Sequence, residues 1–145
     1  MSSPDSNSPV SSTSSHGALI LVVERNPLVQ RLERYFLEQA GFNVEFTSDG
    51  IAALARAQEL RPKILVTEIL VPKLDGLSLC RAIKSNPDTK DILVMIFSHL
   101  QAEDRATEAG ADAFLTKPLD EELLIETVEK LLALRKKSVG TDLDG

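Results

Sequence analysis

Glu24, Arg25, Glu68, Ser98 and Lys117 are the side chains in this sequence whose types could do chemistry together. They supply a carboxylate, a guanidinium, a second carboxylate, a hydroxyl and an ammonium, drawn from distant parts of the chain. Such a set can hold a charged ligand or balance its own charges. Each member stands at the end of a short apolar run. Glu24-Arg25-Asn26 follows residues 18–23, Thr67-Glu68 ends residues 64–67, Ser98-His99 closes residues 92–97, and Thr116-Lys117-Pro118 follows residues 113–115. If those runs are parallel strands, all five side chains reach one rim, where open α/β sheets take their ligands.

The elements that would position them are legible. Residues 18–23, 64–67 and 92–97 are continuous and rich in β-branched residues and leucine, as strands covered on both faces are. Residues 43–46 and 113–115 are shorter. Helical spacing appears between the runs. Leu28, Leu32, Tyr35 and Phe36 predict the buried face of a first helix stopped by Gly41, with Tyr35 in the core. Ile51, Leu54, Ala55 and Gln58 mark a second helix closed by Arg61-Pro62. Leu77, Cys80, Ile83 and Lys84 mark a third, fed by the Asp75-Gly76 turn and ended by Asn86-Pro87-Asp88. A short fourth helix spans 102–109, where Ala102, Ala106 and Ala109 have little to bury. A fifth starts at Asp120 with Glu121 and Glu122 in its first turn, carries Leu124, Val128, Leu131 and Leu132 inward, and reaches Arg135, Lys136 and Lys137, where cations suit a C-terminus. Five strands alternating with five helices give an α/β class: a flavodoxin-like, doubly wound, five-stranded parallel sheet in the order 2-1-3-4-5.

At 145 residues the chain is one domain's worth. Residues 1–16, mostly Ser, Pro, Asn and Thr, read as a disordered tail, either an inert leader or a regulated serine-rich arm. The folded domain is expected over 17–137. Residues 138–145 read as a C-terminal tail or the start of a linker. A net charge of −6 argues against direct nucleic-acid contact. The lone Cys80 excludes an internal disulfide and reads as a small buried hydrophobe in a reducing compartment. No run approaches the ~20 apolar residues of a membrane span, and no signal-peptide pattern opens the chain, so a cytoplasmic protein is expected.

Three segments carry a family resemblance: Val22-Val23-Glu24-Arg25-Asn26-Pro27; Leu65-Val66-Thr67-Glu68-Ile69 with Val71-Pro72-Lys73-Leu74-Asp75-Gly76; and Gly110-Ala111-Asp112-Ala113-Phe114-Leu115-Thr116-Lys117-Pro118. In order and spacing they resemble the signature segments of response-regulator receiver domains of two-component signalling, over residues 18–134. The resemblance implies a phosphoryl-accepting Asp after the third strand, a pair of acids after the first that helps to hold Mg²⁺, and a hydroxyl and a lysine that stabilise the phosphoryl oxygens. Ser98, Lys117 and Glu24 fit that pattern. Glu68 stands at the acceptor position and Arg25 at the second acid.

Glu68 lengthens the nucleophile by one methylene, and a misplacement near 1 Å can cost on the order of 10²-fold. Arg25 replaces a metal ligand with a permanent cation. The expectation is an atypical receiver: no turnover, no cofactor, no metal, and Arg25 paired with Glu68 or Glu24 where the ion would sit. Glu68 and Glu24 would be the ligands if Mg²⁺ binds after all. Glu68, extending toward Ser98 and Lys117, would hold the domain either active-like or locked inert. His99 reads as a pocket cap or as an exposed loop residue, Phe114 as a switch aromatic or as core, and Leu70 as a packing residue. The resemblance also raises the expectation of a cis bond at Lys117-Pro118. It implies a protein partner or effector on the face of the fourth helix, fifth strand and fifth helix, or a homodimer, with no nucleic acid and no membrane. Two rivals stay open: a working phosphorelay receiver accepting phosphate on Glu68 or a neighbour, and a small-ligand binder on the same fold. The second lacks a Gly-rich phosphate loop after the first strand.

Overall fold

The computed structural model describes residues 17–144, with side chains through Arg135. The expected tail over 1–16 lies outside the described residues. Ten elements alternate along the chain: β1 (Leu19–Val23), α1 (Pro27–Gln39), β2 (Asn43–Thr47), α2 (Gly50–Leu60), β3 (Ile64–Thr67), α3 (Gly76–Ser85), β4 (Leu93–Ser98), α4 (Glu103–Glu108), β5 (Ala113–Thr116) and α5 (Glu121–Asp144). The five strands form one sheet in the order β2-β1-β3-β4-β5, every pair parallel, as the sequence pattern implied. The order reverses between β1 and β3, so their carboxyl ends open a crevice there.

Alternation along each strand splits the core in two. Leu21, Val23, Leu65, Val94 and Ile96 face α2, α3 and α4, whereas Ile20, Val22, Ile64, Met95 and Phe97 face α1 and α5. α5 buries Leu124, Val128 and Leu131 and α3 buries Leu77, Cys80 and Ile83, as their spacing predicts. Burial also pushes the Cys80 thiol up to about 11, so it behaves as an inert hydrophobe.

Helix α1 rests on a different face from its expected stripe, and of the residues that mark α2 only Leu54 packs on the core. In α1, Leu28, Leu32 and Tyr35 are 61%, 40% and 59% exposed, while Glu33 and Leu37 are buried and Val29, Phe36 and Ala40 pack on the sheet. α1 carries two stripes of the same period offset by one residue, and a helix lying on a sheet can bury only one. Phe36 belongs to both stripes, which is why the register could be misread. In α2, Ile51, Ala55 and Gln58 point outward and Ala53 and Ala57 are buried. Here close approach decides: a Cβ on Gly50 would lie 1.8 Å from the Leu74 carbonyl oxygen, so small residues must face inward. Leu70, expected to pack, is exposed. At the C-terminus helical backbone runs on through 138–144, where a polar tail was expected; no proline interrupts it.

Candidate functional site

The β1–α1 turn is set by Asn26, whose side chain caps α1 by accepting hydrogen bonds from the backbone N–H groups of Leu28 (2.9 Å) and Val29 (3.3 Å), with Pro27 opening the helix. The Asn26 N–H in turn donates to Glu24 Oε2 at 3.0 Å, and the Gln30 side chain donates to the Glu24 carbonyl. Glu24 is thereby aimed into the crevice at the head of β1, and it is buried. β3 delivers Glu68 beside it. The Glu68 backbone is wedged against α3, since a Cβ on Gly76 would come within 2.2 Å of the Glu68 carbonyl oxygen. Its Oε1 accepts the Ile69 N–H at 2.7 Å.

Lys117 enters from β5, where its own N–H donates to the Ser98 carbonyl at 2.8 Å and its bond to Pro118 is cis. Its ammonium lies 2.7 Å from Glu24 Oε1 and 3.1 Å from Glu68 Oε2, with only 5% of the side chain exposed, and it sits 5.4 Å above the Phe97 ring. Three donor groups thus reach all four carboxylate oxygens: Lys117 and the Asn26 N–H for Glu24, Lys117 and the Ile69 N–H for Glu68. Burial alone would raise the Glu68 carboxyl, but hydrogen bonds from Ser98, Lys117 and Ile69 outweigh it and hold the group below its ordinary value. Burial would likewise lower the Lys117 ammonium, and its bonds to Glu24 and Glu68 overcome this and raise it. Both groups are charged near neutral pH, as a compact buried ion-pair cluster requires.

The cation in the crevice is therefore Lys117, not Arg25. Arg25 is exposed and makes no ion pair among the described residues, which corrects the expected pairing. The reason lies in the chain direction: β1 turns after Glu24, and the alternating side chain of Arg25 is thrown outward while Asn26 caps the helix. Ser98 is fully buried and its Oγ accepts the Leu100 N–H at 3.2 Å. His99 lies exposed on the rim, and Phe114 is half-buried against the α2–α4 side of the core.

Sequence reasoning missed Glu33. It is 1% exposed on the inward stripe of α1, its Oε1 has no hydrogen-bond partner, and burial, reinforced by Glu24, pushes its carboxyl up to about 8; Lys117 opposes the shift and Glu68 adds to it. The available signal was an acid at i+4 between Val29 and Leu37, inside a stripe otherwise apolar.

Parallel strands, a crevice at the sheet's reversal, and a rim carrying acid, hydroxyl and lysine from four strand ends define a class of signalling domain. The response regulator receiver domain model matches residues 20–129, and the chain belongs to that family. It is 34% identical over 116 residues to the DNA-binding dual master transcriptional regulator RpaA of Synechocystis, covering 78% of this chain and 48% of that protein. The chain spans about half the length of the curated relatives it matches first. Among solved structures it is similar to the receiver domain of a histidine kinase from Syntrophus aciditrophicus (32% identity, TM-score 0.76, 81% of this chain and 91% of that one). It is also similar to the receiver domain of the sensor histidine kinase PA1611 of Pseudomonas aeruginosa, which carries a magnesium ion in its active-site cleft (27% identity, TM-score 0.75, 81% and 98%).

Proposed function

We propose that this receiver domain acts by protein-protein interaction without accepting a phosphoryl group on the third strand and without binding Mg²⁺. One observation carries the reading: the Lys117 ammonium bonds Glu24 and Glu68 together, leaving no carboxylate oxygen of the pair without a partner. A divalent ion entering here would have to displace an ammonium from two buried carboxylates. The position after Glu24 would offer it no third hard oxygen ligand, because Arg25 stands there with its side chain turned outward. For phosphoryl transfer, Glu68 would have to give up the bonds that hold it to become a free nucleophile. Glu68 instead places one negative charge against Ser98 and Lys117, a fixed internal arrangement with no turnover.

RpaA is by name a DNA-binding regulator; for this acidic chain a protein partner is the better match than DNA. The face of α4, β5 and α5 is one candidate surface.

The test is incubation with acetyl phosphate and Mg²⁺ followed by intact mass measurement. The expected spectrum is unchanged. A base-labile gain of one phosphate, removed by Glu68→Gln, would overturn the reading in favour of a working phosphorelay receiver. The double change Arg25→Asp with Glu68→Asp is expected to create Mg²⁺ binding, seen by calorimetry, that the unmodified chain lacks. A purified protein carrying a bound small cofactor would favour the ligand-binding rival.

A further inference from the structure

Glu33 is a buried ionisable group that the crevice leaves unused, and strand alternation puts it in the same layer as the crevice charges. Val22, Val66 and Leu115 face the α1 and α5 side of the sheet, so Glu24, Glu68 and Lys117, each two residues further on, point there too. The Phe97 ring beneath the Lys117 ammonium belongs to that side as well. Glu33 enters the same layer from α1, between Val29 and Leu37. Three carboxylates and one ammonium thus lie buried between sheet and helix. Among the described residues the other elements packed there present apolar side chains: Val44 and Phe46 from β2, Leu124 and Val128 from α5. Glu45 of β2 pairs with Arg56, and Arg34 of α1 is exposed and paired with Glu38.

The ammonium is shared unequally. It lies 2.7 Å from Glu24 and 3.1 Å from Glu68, while Glu33 makes no ion pair among the described residues and its Oε1 has no hydrogen-bond partner. Burial keeps the proton on Glu33, Glu24 and Glu68 add to this, and Lys117 alone opposes them. We propose that Glu33 is a second seat for the Lys117 ammonium, and that ionisation of Glu33 transfers Lys117 from Glu68 to Glu33 and unlocks the head of β3. The proton leaves Glu33 for solvent and an ion pair changes carboxylates; no bond but the O–H is broken. Glu68 is the partner given up, because its contact is the longer and the Ile69 N–H and Ser98 still support its charge. Glu24 has only the Asn26 N–H besides. The flexible four-carbon stem lets the ammonium move while the Lys117 backbone stays tied to Ser98. Lys117 is then the two-position element, and proton loss the input that biases it. The inference rests on the Lys117 lock and not on the loss of phosphoryl transfer.

The experiment is an NMR titration of the full chain from about pH 6 to about pH 9.5, without Mg²⁺ or phosphoryl donor, following the Glu side-chain carboxyl carbons and the Ile69 amide. The Glu33 carbon is expected to titrate near 8, and the Glu68 carbon and Ile69 amide to shift with the same midpoint. Ile69 is also expected to lose hydrogen-exchange protection by about fivefold or more across that step, after correction for the intrinsic pH dependence. In Glu33→Gln, which keeps the shape but cannot ionise, the Glu68 and Ile69 signals are expected to stay flat. Glu38→Gln, an exposed acid on the same helix, is the control and leaves the parent's behaviour unchanged. Circular dichroism checks that each variant is folded. Four results would each overturn the inference: a Glu33 carbon that does not titrate in the window, Glu68 and Ile69 signals that stay flat while it does, a Glu68 shift that persists in Glu33→Gln, or lost protection along α1 with Ile69 unchanged. The last would mean that ionisation expels the helix and leaves Lys117 in place. Phosphoryl uptake in the mass experiment would remove the silent-receiver reading and leave this exchange standing.

Discussion

Two buried acids a short distance apart in this fold meet opposite fates. Glu68, at the end of β3, is charged; Glu33, on the inward stripe of α1, is pushed toward neutrality. Both are almost fully buried, so burial does not separate them. Partners do. Glu68 receives Lys117, Ser98 and the Ile69 N–H, whereas Glu33 has an oxygen with no partner and lies in the field of two other carboxylates. Within one domain a buried carboxylate is kept as an anion where donors converge and refused where they do not.

The sharpest way to break this contrast is to remove the shared cation. Lys117→Met leaves two buried carboxylates without their ammonium and is expected to destabilise the fold by about 3–5 kcal/mol, read from the urea midpoint. A loss under 1 kcal/mol would show that the crevice solvates its acids without Lys117. Glu33 predicts a pH dependence of the opposite kind. At pH below its ordinary 4.5 it is protonated folded and unfolded alike; above that the unfolded chain gives up the proton while the folded chain keeps it up to about 8. Its contribution is therefore intact below 4.5 and lost as pH rises toward 8. The loss by pH 7 is on the order of 3 kcal/mol, at roughly 1.36 kcal/mol per unit. Glu33→Gln should flatten that slope when unfolding free energies are compared at pH 5 and pH 8. Parallel curves for the two proteins would mean that Glu33 is solvated or paired after all.

Smaller effects sharpen the same comparison. Gly76→Ala presses a methyl into the Glu68 carbonyl and is expected to cost about 1–3 kcal/mol in thermal or urea unfolding. Arg25→Ala, on an exposed side chain without an ion pair, should stay within about 0.5 kcal/mol of the parent. A larger loss would restore Arg25 to the crevice.

The sheet order, the strand positions and the membership of the rim could be read from sequence, because β1, β3 and β4 are buried on both faces and so read as continuous apolar runs. Glu24, Glu68, Ser98 and Lys117 follow from those runs as the next residues along. What could not be read was which cation takes the crevice. Arg25 is adjacent in sequence to Glu24, yet strand alternation turns it outward, while Lys117 arrives from 93 positions away. The α1 register failed for a related reason. Two stripes share one period, and only the outcome of packing against Phe42, Met95 and α5 chooses between them. Glu33 stayed hidden because an acid inside a helix is ordinarily read as a marker of the wet side.

The reach of Lys117 has a consequence for how the chain is made. Synthesis delivers Glu24 and Glu68 to the growing polypeptide well before the residue that neutralises them, and β5 is the last strand to leave the ribosome. If β1 to β4 paired before β5 arrived, the sheet would bring Glu24 and Glu68 together without the Lys117 ammonium that balances them. Docking of the final strand is thus the event that makes the head of the sheet electrically tolerable, and the domain's completion is recorded in a single ammonium.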